Sequence, residues 1–216
     1  MPRKWPTKIA RDFISRFSIQ PYPFIDQTLF DRSKTKMHRE PFLKLLAEYE
    51  GRHPEESDVV DRFRYFVSAH PDCFERSLQI GHLTGSAWVV NAAGDAVLLT
   101  HHRKLNIWVQ PGGHADGETD ILGVALKEAD EETGLKPIEA ISDAIFDLDI
   151  HEIPARKEDP AHFHYDVRFA LQHSGDGRYA ISEESHDLAW VSLDQLAEYT
   201  NEDSIVRMKK KFRATT

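Results

Sequence analysis

One segment constrains the fold more than any other part of the chain. Residues 111–135 read PGGHADGETDILGVALKEADEETGL. Four apolar side chains in it recur at the spacing of one helical face, and these are Leu122, Ala125, Leu126 and Ala129. Thr133 and Gly134 then supply a helix stop. The sequence therefore predicts a helix over residues 120–133 that buries one face and follows a sharp glycine turn.

Three glutamates share a second face of this helix. Glu128, Glu131 and Glu132 lie at positions i, i+3 and i+4. Like charges at this spacing destabilise an isolated helix by roughly 0.2–0.5 kcal/mol per pair. The C-terminal end of a helix is also unfavourable for negative charge. Solvent or a cation must relieve this repulsion, and a solvated acidic face is the simpler interpretation of the triplet alone.

The glycine turn before the helix favours the cation. Gly112 and Gly113 follow Pro111 and let the backbone turn sharply, which brings bare main-chain groups close to the carboxylates. A hard divalent cation takes oxygen ligands from carboxylates, backbone carbonyls and water. A bound cation can in turn recruit an anionic substrate.

The rest of the chain predicts an α/β fold with a mixed sheet. Residues 1–80 read mostly as helix, and strands begin after Gly85. Predicted strands occupy residues 86–91, 96–101, 106–110, 140–150, 163–171 and 188–191. Predicted helices occupy residues 40–50, 58–69, 120–133, 193–199 and 203–212. We expect a helical N-terminal extension over residues 1–80 and a domain over residues 81–216.

Charge and composition limit the partners. The net charge is −9, and residues 81–216 hold nearly twice as many acidic as basic side chains. An acidic surface repels a nucleic-acid duplex, so none is expected as a partner. No apolar run approaches the roughly 20 residues of a membrane span, and no secretory signal is evident. Cys73 is the only cysteine, which fits a reducing compartment. We expect a cytoplasmic protein without a membrane partner.

The glutamate segment resembles the Nudix box. That motif begins with Gly, five residues, Glu and seven further residues. It continues with Arg-Glu, an apolar residue, one residue and Glu-Glu, and it ends with one residue, Gly and an apolar residue. The residues that match at this spacing are Gly113, Glu128, Ala129, Glu131, Glu132, Gly134 and Leu135. Thr119 stands at the first Glu position, with Glu118 one residue early. Lys127 replaces the Arg and lacks its bidentate geometry.

The resemblance implies a Nudix-like mixed-sheet α/β/α sandwich, with residues 1–80 outside the Nudix hydrolase domain. It also implies a pyrophosphohydrolase that uses Mg²⁺ or Mn²⁺ to cleave a phosphoanhydride bond. The substrate would be a small-molecule diphosphate, nucleoside-diphosphate-linked or similar. The family's metal ligands carry over by position to Gly113, Glu128, Glu131 and Glu132. Its catalytic positions carry over to Lys127, Glu128 and Glu131, with Glu128 as ligand or general base.

Histidines and basic residues are candidates for the substrate-binding side. In a strand, His162, His164 and Asp166 share one face. Such a set can bind a transition metal or contact phosphate, although hydrogen-bonded histidines are the simpler interpretation. His101 and His102 precede the glycine turn. The residues predicted to contact substrate are Arg103, Lys104, His114 and His164.

Several alternatives stay open. A non-catalytic Nudix-fold module that binds a nucleotide would be expected to lose the glutamates, which are intact. A diphosphate isomerase would need a cysteine in the Nudix domain, and Cys73 lies outside it. An acidic-helix scaffold is the third alternative. The general base is Glu128, Glu118 or a late-loop Glu183 or Glu184. Residues 1–80 either cover the pocket, form a homodimer contact or complete the core.

Overall fold

The protein is described from a computed structural model, which covers residues 38–103, 105–156, 160–183 and 185–215. These residues lie within one compact unit, Ser33–Thr216. The predicted substrate contact Lys104 and the base candidate Glu184 lie outside the described residues.

An eight-stranded mixed sheet forms the centre of this unit. Its strands are β1 (Gly81–Val90), β2 (Ala96–His102), β3 (Ile107–Val109), β4 (Gly112–His114), β5 (Ile138–Ala140), β6 (Asp147–Ile153), β7 (His162–His173) and β8 (Ser185–Ser192). Strands β1 and β7 run parallel, and the other pairings are antiparallel. The predicted mixed sheet is therefore confirmed.

Helices cover both faces of the sheet. They are α1 (Glu40–Arg52), α2 (Ser57–Ala69), α3 (Ile121–Thr133), α4 (Leu196–Tyr199) and α5 (Asp203–Thr215), with a 3₁₀ turn at Pro54–Glu56. Leu83 and Ala87 of β1 pack with α1, α2 and α3 in one buried cluster. Trp88 and Val90 pack with α4 and α5 in another. Because successive strand residues point to opposite faces, β1 serves both layers, and the α/β/α sandwich is confirmed.

Helices α1 and α2 belong to the same core as the sheet. Phe42 and Leu46 of α1 and Phe63 of α2 are buried in the cluster that contains Leu83 and Phe169. Of the three roles considered for residues 1–80, the described part therefore completes the core. None of the helices within the described ranges has both the length and the apolar character that a membrane crossing requires.

Three local predictions were wrong. The single strand expected over residues 140–150 is two strands, because residues 141–146 bend away between β5 and β6. β1 begins at Gly81, five residues before the expected start, because its first residues pair with β7. The glycine turn contains a short strand, β4, which pairs with β1. In each case the pairing of distant strands, which local periodicity does not report, decides the structure.

A buried ionic network joins β6, β7 and α5. Arg168 is 2% exposed and donates to Asp147 at 3.0 Å, to Asp149 at 3.2 Å and to Asp166 at 2.7 Å. Arg207 of α5 donates to Asp147 at 2.8–2.9 Å. Burial alone would raise the pKa of Asp149, but the His151 hydrogen bond and the Arg168 and Arg207 charges lower it overall. Asp147, whose pKa the arginines also lower, and Asp149 are therefore ionised structural partners of the arginines.

Replacing Arg168 should destabilise the fold strongly. Arg168→Ala leaves the buried carboxylates of Asp147 and Asp166 and the partly buried carboxylate of Asp149 without their shared guanidinium, so the free energy of unfolding should fall by about 3–5 kcal/mol. Arg178→Ala is the matched control, because its ion pair with Asp176 is exposed on both sides and contributes about 0–1 kcal/mol. Urea denaturation measures both variants. Equal losses of stability would contradict a structural role for the network.

Candidate active site

Helix α3 begins and ends where its sequence provides caps. Asp120 is the N-cap, and its side chain accepts a hydrogen bond from the Gly123 N–H at 3.1 Å. Gly134 ends the helix with a left-handed φ of 66°. Between these residues, Ala125 and Ala129 are fully buried against the sheet. The predicted helix over residues 120–133 is confirmed, with its first residue serving as the cap.

The helix lies directly on the backbone of β1. A Cβ atom on Gly85 would lie 2.9 Å from the Ile121 carbonyl oxygen and 2.9 Å from Val124 Cγ1. Gly85 pairs with Gly113 of β4 in the sheet register. The absence of side chains at this pair of positions lets α3 approach the glycine turn.

Two of the three glutamates meet the glycine turn. Glu132 is 8% exposed, and its Oε1 accepts a hydrogen bond from the Gly112 N–H at 2.9 Å. The Glu128 carboxylate lies so close to Gly113 that a Cβ atom there would overlap it. The turn and these carboxylates therefore form one continuous group of oxygen and main-chain atoms.

Lys127 links the carboxylates of Glu128 and Glu131. Its Nζ lies 2.8 Å from Glu131 Oε2 and 3.2 Å from Glu128 Oε1. The hydrogen bond to Glu131, followed by that to Glu128, raises the pKa of Lys127. The Glu131 side chain is 58% exposed, whereas that of Glu128 is 17% exposed. Repulsion within the triplet is therefore relieved in part by a lysine of the same helix.

Glu118 and Glu183 occupy different surroundings from the triplet. Glu118 Oε1 accepts hydrogen bonds from the N–H groups of Thr119 at 2.7 Å and Asp120 at 2.9 Å. These bonds, that to Asp120 first, lower the pKa of Glu118. In this position the carboxylate stabilises the start of α3. Glu183 is exposed in the turn before β8.

A cleft of about 490 Å³ lies beside the glutamates. Its polar lining includes His114, Asp116, Glu118, Asp120, Lys127 and Glu128. Asp116 forms an ion pair with Arg76, which lowers the pKa of the Asp116 carboxyl. His114, at the end of β4, is the predicted substrate contact that borders this cleft. A small charged molecule placed there would meet both signs of charge.

His164 belongs to a separate group of histidines. His82 lies 4.9 Å from His114 and 5.0 Å from both His162 and His164, measured between ring centroids. His151 lies 5.4 Å from His164. The prediction that His162 and His164 share a face is thus confirmed. We name these five residues, from β1, β4, β6 and β7, the histidine cluster.

Sequence reasoning missed two members of the histidine cluster, His82 and His151. His82 was overlooked because β1 was expected to start after Gly85. His82 pairs with His164, and His164 in turn pairs with His151. Neither residue lies near another cluster member in the sequence, so only the strand register could have revealed them.

Three other candidates, Arg103, His101 and His102, lie on another part of the sheet. Arg103 donates to the Ser185 carbonyl oxygen at 2.9 Å, which ties the end of β2 to β8. His101, also on β2, stacks on Trp108 with ring centroids 5.0 Å apart and lies beside His186. His102 accepts a hydrogen bond from the Leu105 N–H at 3.3 Å. The structure therefore groups His114 with β7 histidines and not with His101 and His102.

Comparisons with known proteins agree with this geometry. The family model described as NUDIX domain matches residues 82–212. No curated protein sequence matches the chain. An Ap4A hydrolase from C. elegans, solved as a binary complex, is 17% identical with a TM-score of 0.50, over 62% of this chain and 96% of that chain.

Two further solved structures are also similar to this chain. A NUDIX family hydrolase from Clostridium perfringens is 22% identical with a TM-score of 0.47, over 62% of this chain and 98% of that chain. A UDP-X diphosphatase is 14% identical with a TM-score of 0.47, over 85% of this chain and 96% of that chain.

The close approach of α3 to β1 can be tested at Gly85. Gly85→Ala should lower the free energy of unfolding by about 1–3 kcal/mol, because the added methyl group overlaps Ile121 and Val124. Gly51→Ala is the control, since a Cβ atom at that helical position meets nothing within 4 Å. It should be neutral or stabilising by up to about 1 kcal/mol. Thermal and urea unfolding compare the two, and an unaffected Gly85 variant would contradict the packing.

Proposed function

Because the chain belongs to the NUDIX domain family, we propose that it is a metal-dependent pyrophosphohydrolase. It cleaves a phosphoanhydride bond in a nucleoside-diphosphate-linked or similar small molecule. The observation that carries this proposal is the convergence of Glu128 and Glu132 on the Gly112–Gly113 backbone. Such a convergence suits a reaction on a diphosphate, in which charge neutralisation and positioning dominate catalysis.

The residues present fit a hard divalent cation. The proposed ligands are the carboxylates of Glu128, Glu131 and Glu132 and the carbonyl of Gly113, so every donor is an oxygen atom. Mg²⁺ prefers this donor type, and Mn²⁺ accepts it. Lys127 donates to Glu128 and Glu131, and the Gly112 N–H donates to Glu132. A carboxylate has about four lone-pair sites, more than one hydrogen bond uses. These contacts are therefore compatible with metal binding through the same side chains.

Each residue has a proposed part in the reaction. When bound, the cation neutralises the diphosphate and acidifies a water molecule. Lys127 orients Glu128 and Glu131, and Glu128 serves as a ligand or accepts the proton of the attacking water. His114 borders the cleft and contacts a substrate phosphate. His164, Arg103 and Lys104 also remain proposed substrate contacts. The cytoplasmic location and a homodimer remain proposals as well.

The proposal is tested by a substrate screen on the full chain. The purified protein with Mg²⁺ is incubated with ADP-ribose, dinucleoside polyphosphates, nucleotide sugars, nucleoside triphosphates and coenzyme A. The Glu131→Gln/Glu132→Gln variant should lose at least about 100-fold in kcat, since it lacks two proposed ligand charges. Glutamine keeps an acceptor for the Gly112 N–H, so the fold should survive.

Asp130→Asn is the matched control for this variant. Asp130 lies on the same helix, but its partner is Lys136, outside the glutamate group. Its turnover should equal that of the unchanged protein, and circular dichroism verifies both folds. Turnover retained by the double variant would refute the site. Nucleotide binding without turnover on any substrate would instead support the non-catalytic module.

Two substitutions test whether Lys127 orients the carboxylates. Lys127→Met should lower kcat by roughly 10–100-fold, the usual cost of removing a residue that orients metal ligands. Lys127→Arg restores both the charge and the family's own residue, so it should retain activity. Measuring kcat against Mg²⁺ concentration distinguishes weaker metal binding from slower chemistry. If Lys127→Met is fully active, Lys127 does not orient the carboxylates.

A further inference from the structure

The histidine cluster is a second group of metal-ligand side chains, chemically unlike the glutamates. Four neighbouring strands, β4, β1, β7 and β6, each place at least one histidine at the same end of the sheet. The register pairs His82 with His164 and His164 with His151. Because β4 pairs with the other edge of β1, His114 approaches His82 from the opposite side. The rings are therefore held together by strand pairing and not by a flexible loop.

Three of these rings are close enough to share one ion. His82, His114 and His164 each offer one ring nitrogen, and these nitrogens lie within 4.8 Å of one another. Ligands about 2.0–2.1 Å from a tetrahedral zinc ion are separated from each other by roughly 3.4 Å. Small rotations about the side-chain bonds would bring the ring nitrogens from within 4.8 Å of one another to the separation that a bound ion requires.

Burial makes the arrangement costly without a ligand. His82 is 3% exposed, and neither of its ring nitrogens forms a hydrogen bond of good geometry among the described residues. Burial lowers the pKa of His82, and the Leu78 backbone lies near enough to raise it by a smaller amount. Within the same ranges, the buried Nε2 of His164 also lacks a partner. A buried polar atom that forms no hydrogen bond costs about 1–3 kcal/mol. These nitrogens point to an acceptor of electron pairs at the centre of the cluster.

We propose that His82, His114 and His164 form a binding site for a transition metal ion of the zinc type, separate from the glutamate site. Three neutral imidazoles are a common ligand set for such ions, and a fourth position stays open for water or a substrate atom. His114 also borders the cleft next to Glu128, so the proposed metal site and the glutamate site are neighbours in the fold.

The protonation state of the cluster agrees with metal binding. Burial, followed by the neighbouring His114 and His162, lowers the pKa of His82 to about 4. Burial and the adjacent His151 lower the pKa of His164 further. Both rings are therefore neutral near pH 7, which is the form that binds metal.

The two outer histidines provide supporting contacts. His151 Nδ1 lies 3.1 Å from Asp149 Oδ2, and His162 Nδ1 lies 2.9 Å from the Pro160 carbonyl oxygen. These hydrogen bonds fix the orientation of the two outer rings next to the proposed ligands. His151 and His162 pack on the ring of His164 and limit its motion.

The site is tested by metal binding without substrate. Full-length protein is stripped with a chelator and titrated with Co²⁺, which reports nitrogen coordination through its visible absorption, and with Zn²⁺ against a chromogenic competitor. We expect one equivalent to bind. Loss of an orienting residue alone weakens binding roughly 10–100-fold. His82→Gln and His114→Gln, which each remove a ligand, should weaken it by about 100-fold or more.

Two controls keep the outcomes distinct. His186→Gln changes an exposed histidine outside the cluster and should leave the titration unchanged. The Glu131→Gln/Glu132→Gln variant should lose hydrolysis but keep the Co²⁺ spectrum. His114→Gln lies at the partly exposed edge, so it gives an answer even if His82→Gln fails to fold. Unchanged binding in His114→Gln, or binding lost only in the glutamate variant, would overturn the proposed site.

Discussion

The contact of α3 with bare backbone is the constraint on which the site depends. Gly85 in β1 and Gly113 in β4 are paired in the sheet, and neither has a side chain to separate the helix from the strands. Because α3 lies this close, the carboxylates of Glu128 and Glu132 contact the glycine turn. A larger residue at Gly85 would move the helix outwards, and one at Gly113 would displace the Glu128 carboxylate from the turn. The position of the functional groups therefore follows from the packing of small residues.

The carboxylates of the protein divide into two groups according to their counterions. Asp147 and Asp149 contact Arg168 and Arg207, whose guanidinium groups are fixed in the fold, so these carboxylates are neutralised permanently. Glu128 and Glu131 have Lys127, whose side chain is 60% exposed, as their shared counterion. An exposed lysine is held weakly and can be displaced from one oxygen at little cost. The glutamates thus retain the capacity to exchange a counterion, which the aspartates have lost.

The sequence predicts most features that depend on neighbouring residues. The apolar stripe at Ala125 and Ala129 and the stop at Gly134 locate α3, and the spacing of its glutamates identifies the family. Features that depend on strand register are not predictable in this way. The polar, glycine-containing start of β1 has no clear alternation, so His82 is not recognised until its pairing with β7 is known. The ionic network around Arg168 joins residues from three separate elements, and no local pattern reports it.

Strand β4 shows how one short segment can serve two kinds of chemistry. Gly113 lies against Glu128, an oxygen donor, while the next residue, His114, contacts His82 and His164, which are nitrogen donors. Successive residues of a strand point in opposite directions, so the two donor groups need not compete for space. Oxygen donors favour hard ions, and imidazoles favour transition metals. The short strand, which sequence periodicity does not reveal, therefore separates two chemically different environments at the border of one cleft.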